Sequence, residues 1–498
     1  MKSLFRLILL TWVLSAPCHA LWNGKICLNH LRNIAHSSQK TFYIVSPISG
    51  SSGLEELTRA VLPADVQIVV LLAPGSVLPP SQPNLIFAHL PQHLSKKSSM
   101  ESLQLGIESI RKALGTPEGP AKVLIGAENG VDWGLALKRD VNDSGFESDL
   151  SASQMVSKGS VRKKLEGASI PNLVWPIQFE EKDFDTTLKE YAEKFPKKRL
   201  AVKFDNSSGM EGLLFCTAEN VFANIAELKL KDENKHKRSP RIIVEGYIDD
   251  IPLPAGQKWK EIAVDGVAYR LPSENKTRVK FFSAWIYEKD ENKMYLSDNL
   301  TDPNQAQFAG ARSMIEGAVN ALGYSEGGLH FEIYMPVDVE GRIVANGPIV
   351  LGDPNFRFGG NNKFAEALVK KRAFTIPPNE MLLLGAINPE ALHKLNPKVS
   401  NATTKVIALS FPRAPSGARL SNDPSDLLAE MRRLGTYAGV DTVPWTQDTY
   451  KTFTVGRGKE LKDVFEIVLI GSHDEVLRDE MRIREIEIKL SQLMRVEE

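Results

Sequence analysis

The sequence predicts a mixed α/β and α+β protein, and three observations predict it. The chain has 498 residues, enough at about 100 to 200 residues per domain for several buried cores. Between residues 40 and 130, the short apolar runs TFYIVSP, VQIVVLLAP, NLIFAHLP and AKVLIGAENG alternate with turn-rich or amphipathic stretches such as SMESLQLGIESIRKALG. Runs that are apolar nearly throughout indicate a largely parallel sheet covered on both faces. Further along, hairpin pairs mix with helices, which indicates an α+β arrangement.

Taken in order, residues 1–20 form a hydrophobic leading segment. Lys2 and Arg6 precede the apolar run Leu7 to Leu14, and Cys18 and Ala20 stand at the small-residue positions of a cleavage site. That is the layout of a secretory signal peptide, and the run is shorter than the roughly 20 residues that span a bilayer. The expected location is therefore secretory or periplasmic, with no stable membrane span once the segment is removed. Residues 21–150 are the N-terminal α/β unit, closed by the polar stretch KRDVNDSGFESDLSAS. Residues 154–363 hold a helix at Lys158 to Glu166, strands RLAVKF and RIIVEGY, and the hairpin VKFFSAWIYEK with KMYLSDN. After them come the helix QFAGARSMIEGAVNALG and two pairing strands, GLHFEIYMPV and GRIVANGPIVLGD. Residues 372–498 add strands KVIALSFP and FEIVLIG and a long closing helix.

Composition narrows the function classes. Hydrophobic residues make up 42% and charged residues 24%, which excludes a largely disordered chain and a polytopic membrane protein. Lysine plus arginine equals aspartate plus glutamate at 61 each. With no basic excess there is no footprint for nucleic acid, and any polyanion is held by a local arrangement. A small anionic ligand fits best. The three cysteines, Cys18, Cys27 and Cys216, are too few and too dispersed for a disulfide framework or a structural zinc site. Metal chemistry must then use oxygen ligands, and whether Cys27 and Cys216 pair stays open.

Three stretches carry chemistry. In LAVKFDNSSGMEG a strand delivers Lys203 and then breaks into a small-residue loop with Ser207, Ser208, Gly209 and Gly212, so backbone N–H groups beside a lysine can approach a phosphate closely. An ordinary hairpin loop explains the same residues. In VLGDPNFRFGGN, Asp353 and Asn355 lie two apart on a strand end and share a face, where they can hold one hard cation; Arg357 extends the alternation. A plain turn is the bland reading. Upstream, Glu332 and His330 share one face of a strand expected to pair with this one; a lone histidine there is more often structural than a ligand. In RIIVEGYID, Glu245 and Tyr247 mark a strand exit suited to an adenine ring.

The order of these elements is more specific than any one of them. Lys158 in SKGSVRKKLEGASIP, Lys203 before a Gly/Ser loop, strand residues Glu245 and Glu332, then Asp353-x-Asn355-x-Arg357: this series resembles the ATP-grasp superfamily. The three-part layout is similar to peptide ligases of the pheganomycin type. The resemblance implies a pre-ATP-grasp domain, a two-lobed ATP-grasp core over 154–363 and a C-terminal α/β extension. It implies ATP with magnesium, or manganese in its place, and an enzyme joining a small-molecule carboxylate to an amine or thiol through an acyl phosphate, possible substrates being amino acids or peptides. Lys158, Lys203, Ser207, Ser208, Gly209 and Gly212 would hold the phosphates, and Glu245 with Tyr247 the adenine. Glu332, Asp353 and Asn355 would hold the metal, and Arg357 would steady the transferred group. Two departures stand out: Asp353 occupies a position more often Glu, and Pro252 lies about where the ribose acid is usual, with Asp249 or Asp250 as substitutes.

A different class is open: an exported nucleotide- or ligand-binding protein that keeps the scaffold without catalysis. An ATP requirement favours the cytoplasm instead of export. A nicotinamide enzyme is remote, because no Gly-x-Gly-x-x-Gly follows the first strand.

Overall fold

The computed structural model describes residues 41–45, 67–72, 78, 85–90, 108, 121–126, 131–141, 143, 146–170, 176–177, 184–205, 213–236, 242–289, 295–360, 368, 371, 373–374, 376, 378–397, 399, 404–414, 418–420, 425–441 and 462–496. The leading segment with Cys18 and Cys27, nearly all of the helical stretch at 99–115, and Ser207, Ser208, Gly209 and Gly212 lie outside these residues.

Strands β1 (Thr41–Val45), β2 (Gln67–Leu72), β3 (Leu85–His89) and β4 (Ala121–Ile125) form an all-parallel sheet in the order β3-β2-β1-β4. Both faces are covered, as their continuous apolar runs predict. Tyr43, Val45, Val69 and Val123 pack on Trp133 and Leu137 of helix α1 (Val131–Asp140). Phe42, Ile44, Val70 and Phe87 face the other way, into a core shared with the large sheet described below.

Helix α2 (Ala152–Met155) leads to α3 (Lys158–Gly167), whose start is set by Ser157: its Oγ accepts from Ser160 N at 3.1 Å. Next come β5 (Pro176–Ile177), α4 (Phe184–Lys194), β6 (Arg199–Phe204), β7 (Leu214–Thr217), α5 (Val221–His236) and β8 (Ile242–Gly246). Their strands make a small antiparallel sheet, β5-β8-β6-β7, with its own core of Leu188, Leu200, Val202, Val221, Ile225 and Val244. Alternation puts Leu200 and Val202 in that core and Lys203 on the opposite face.

The remaining elements are β9 (Lys258–Arg270), β10 (Thr277–Lys289), β11 (Tyr295–Thr301), α6 (Ala309–Ala321), β12 (Gly327–Val337), β13 (Val350–Asn355), α7 (Pro378–Ile387), α8 (Pro389–Lys394), β14 (Thr404–Ala414), β15 (Ala418–Leu420), α9 (Ser425–Arg432), β16 (Tyr437–Asp441), β17 (Lys462–Ser472), α10 (His473–Leu493) and β18 (Met494–Val496). An eight-stranded antiparallel sheet runs β13-β12-β9-β10-β11-β14-β17-β16, so the last third of the chain extends the sheet that carries β12 and β13. Leu329, Phe331 and Ile333 of β12 pack on Ala311, Ile315 and Val319 of α6. The alternate residues, His330, Glu332 and Tyr334, therefore face away from α6, and this polar face bears the site.

Two differences from the sequence reading have physical reasons. Strand β9 has no counterpart in that reading, although it pairs with both β10 and β12. Its charged residues Lys258, Lys260, Glu261 and Asp265 hide the apolar alternation. The return to β13 pairs over Val350–Asn355, shorter than GRIVANGPIVLGD, because Gly341 (φ 79°) and Asn346 (φ 59°) turn the backbone out of the extended region. Among the described residues, no helix is long and apolar enough to cross a membrane.

Candidate functional site

Helix α3 presents two cations on one face, because Lys158 and Arg162 are four residues apart. Both reach Asp353 on β13: Lys158 Nζ lies 2.5 Å from Oδ2, and an Arg162 guanidinium nitrogen 2.5 Å from Oδ1. Lys203, from the small sheet, stands 3.3 Å from the same carboxylate and 2.9 Å from Glu245 Oε2. Arg162 also pairs with Glu245. Three cations from two parts of the chain thus converge on two carboxylates, at side-chain exposures of 2–14%.

The electrostatics follow from this crowding. Burial pushes the Lys203 ammonium down to about 7 against the pull of Asp353, with Arg162 and Lys158 adding to the fall. Burial alone would raise the Asp353 carboxyl, but Lys158, Lys203 and Arg162 hold it well below the usual range. This centre has one more positive than negative side chain, which suits a polyanion.

Beside it on β12 lies a second row. Glu332 Oε1 is 3.7 Å from His330 Nε2, and His330 Nδ1 is 2.9 Å from the fully buried Asp265. Burial opposes a charged imidazole, yet Asp265 and Glu332 push His330 up to about 9. Asp265 also accepts from Ser283 Oγ and Gly359 N, both at 2.9 Å. A side chain at Gly359 would meet His330 at 2.4 Å, so the chain passes this point only as glycine. Burial would raise the Glu332 carboxyl, but the hydrogen bond from His330 lowers it.

Of the residues expected from the sequence, Lys158, Lys203, Glu245 and Asp353 touch one another directly. Glu332 adjoins them, close enough to act on the charge of Lys203. Asn355 opposes His330 across the ladder, its Nδ2 3.4 Å from the Asp353 carbonyl. Arg357 is buried, donates to the Phe358 carbonyl at 3.0 Å and acts on His330. Tyr247 is turned aside: the Arg199 guanidinium lies 4.2 Å from its ring centre and Phe215 meets its ring at 5.3 Å. Asp250 is bound by Arg199 at 2.7 Å. Ser207, Ser208, Gly209 and Gly212 fall outside the described residues. Cys216 is a free thiol on β7.

Sequence reasoning missed Arg162 and Asp205. The first had a signal, the lysine-to-arginine spacing of four on one helix. Asp205 lacked one: it accepts from Gly159 N at 2.8 Å while its carbonyl accepts from Lys158 N at 3.1 Å, tying the end of β6 to the start of α3.

Among the described residues, no group of three or more His, Cys, Asp or Glu is gathered to hold a metal by itself. Magnesium is commonly held by one or two carboxylates together with substrate phosphates. The oxygen donors of Glu332, Asp353 and Asn355 fit an ion that arrives with a nucleotide.

Neither a family model nor a curated protein matches this sequence. Solved structures do match. An L-amino acid ligase from Bacillus licheniformis is 14% identical, with 93% of this chain and 99% of that one covered at a TM-score of 0.59. A carboxyaminoimidazole ribonucleotide synthase from Aspergillus clavatus, solved with ATP, is 11% identical, covering 91% and 99% at 0.58. The biotin carboxylase domain of the Hydrogenobacter thermophilus 2-oxoglutarate carboxylase, solved with MgADP, ADP and bicarbonate, is 12% identical, covering 93% and 91% at 0.52.

The chain has the ATP-grasp fold. The likeness runs through all three sheets, the C-terminal strands included, and so takes in more of the chain than residues 154–363.

Proposed function

We propose that this ATP-grasp protein is an ATP- and magnesium-dependent ligase that joins a small carboxylate to an amine or thiol. The observation that carries the reading is the convergence of Lys158, Arg162 and Lys203 on Asp353, beside Glu332. A carboxylate resists attack until its charge is neutralised. In the proposed reaction its oxygen attacks the γ-phosphorus, the bond to the bridging oxygen breaks, and ADP leaves. The amine then attacks the acyl carbon, phosphate departs, and the amine gives up a proton. Here the protein contributes positioning and charge neutralisation.

Lys158, Arg162 and Lys203 exchange their bonds to Asp353 for bonds to the phosphates. Asp353, Glu332 and Asn355 then hold the ion, which supplies further neutralisation between the phosphates. Arg357 steadies the transferred group, and the backbone after Glu245 takes the adenine. The loop with Ser207, Ser208, Gly209 and Gly212 closes over the phosphates, because it continues from β6 next to Lys203. Amino acids or peptides are the proposed substrates. For location, the first twenty residues support export, which N-terminal sequencing of the mature chain tests.

Isothermal titration with Mg-ATP, paired with ADP release on amino-acid and peptide substrates, tests the function. The expected result is binding weakened about a hundredfold in Lys203→Ala, since a charge-assisted contact contributes about 1.5–3 kcal/mol. Turnover should fall by a larger factor in Asn355→Ala than binding does. Tight binding without substrate-dependent ADP release would replace the ligase with a binding protein.

A further inference from the structure

We propose that Glu261 on β9, held by Tyr334 and Lys289, is the acceptor for the ribose hydroxyls of the nucleotide. The proposal rests on the nucleotide reading above and adds to it a residue from a strand distant from the hinge after β8.

The argument is one of register. Strands β9 and β12 pair without interruption, with His330 opposite Asp265, Glu332 opposite Ala263, Tyr334 opposite Glu261 and Pro336 opposite Trp259. Opposed residues share a face, and every second residue stays on it. Trp259, Glu261, Ala263 and Asp265 therefore lie on the same face as His330, Glu332 and Tyr334. Each step of two residues advances about 7 Å along the strands.

The two ends of this face have separate roles. At one, Glu332 stands beside Asp353 and the cations that take the phosphates. At the other, Trp259 Nε1 donates to the Ile251 carbonyl at 3.0 Å, which fixes the hinge segment Tyr247–Ile251 against β9. A nucleotide with its base at the hinge and its phosphates at Glu332 must lay its sugar over the row between them, and that row is Tyr334 with Glu261.

The chemistry of that row suits a diol. A ribose presents two neighbouring hydroxyl donors, and an ionised carboxylate only accepts. Tyr334 Oη donates to Glu261 Oε2 at 2.9 Å, and Lys289 Nζ lies 2.7 Å from the same oxygen. Both bonds orient the carboxylate before any ligand arrives, and its side chain keeps 11% exposure. The acids after the hinge are placed differently. Asp250 is bound by Arg199 and stands 3.9 Å from Lys198, Asp249 is exposed, and position 252 is proline.

The test compares Mg-ATP with Mg-2′,3′-dideoxyATP by isothermal titration of the full chain, for the unaltered protein, Glu261→Gln, Tyr334→Phe and Lys203→Ala. The unaltered protein should prefer ATP about tenfold or more, the size expected for hydrogen bonds to a charged acceptor. Glu261→Gln should reduce that preference below about threefold, mainly by weakening ATP, whereas Tyr334→Phe keeps it. Each preference is a ratio within one protein, so a partly unfolded variant does not distort it. If the unaltered protein has no preference, or Glu261→Gln retains all of it, the ribose assignment falls and the nucleotide reading stands. If Mg-ATP does not bind, or binds Lys203→Ala equally well, the nucleotide reading itself falls.

Discussion

The parallel N-terminal sheet and the small antiparallel sheet join the eight-stranded sheet by opposite means. Phe42, Ile44, Ile68, Val70, Leu85 and Phe87 of the first share one apolar core with Tyr269, Phe282 and Trp285 of β9 and β10. The small sheet keeps its apolar residues in its own core. It reaches its neighbours through charge, Lys203 on Asp353 and Glu245 on Arg162, and through the bonds of Asp205 to the start of α3. Apolar burial is non-directional and has no equivalent in a ligand, so the first junction is permanent. Ion pairs can be replaced by a ligand's own charges. The small sheet can therefore exchange its contacts with Asp353 for contacts with a polyanion.

That comparison is open to direct attack. Phe282 packs edge-on to Phe358 at 5.5 Å and to Phe374 at 6.1 Å. Phe282→Ala should lower unfolding stability by about 3–5 kcal/mol, measured in urea, because the cavity lies at the permanent junction. A loss under 1 kcal/mol, about the cost of a tolerated core swap, would mean the shared core does not join the sheets.

Arg162→Ala strands Glu245 beside Asp353 with less compensation and should cost about 3 kcal/mol. The informative readout is hydrogen exchange: amides of residues 199–204 and 242–246 should lose protection while those of 41–45 and 67–72 keep theirs. Equal loss in both sheets would erase the distinction drawn here. Asp205→Ala removes the carboxylate that meets the first turn of α3 and should cost about 1 kcal/mol, with the same regional bias in exchange.

The smallest effect concerns Cys216. Burial pushes its thiol up to about 11, so the thiolate is scarce at neutral pH. Peptide mapping after iodoacetamide should show slow labelling at pH 7.5 that rises tenfold per pH unit until the pH nears 11. Labelling that is fast and flat with pH would mean that the thiol is not held in an apolar setting. The Arg162→Ala variant should label faster if loosening the junction also loosens this sheet.

Much of the architecture was legible because apolar pattern decides it. The runs TFYIVSP and VQIVVLLAP became β1 and β2, KMYLSDN became most of β11, and the alternation in LHFEIYM put Glu332 on the polar face of β12. Strand β9 was illegible for the converse reason. Its face toward the site is polar because that face serves the site, and a polar face removes the signal by which strands are found. Arg162 was readable from its spacing with Lys158, but nothing local said that Glu245 would meet it. The side chain of Tyr247 illustrates the limit differently: its place beside Arg199 depends on a cross-strand neighbour.

The sequence by itself determined the chemistry available: equal charge, oxygen donors in place of thiolates, lysines at a helix start and a strand end, and a carboxylate at the end of β13. Those properties are local, set by residue type and by periodicities of two and 3.6. Only the tertiary structure decided that Lys158, Lys203 and Asp353, up to 195 residues apart, share one place. Such convergence depends on the pairing of strands distant in the chain and on which face each one turns, and no short stretch of residues encodes either.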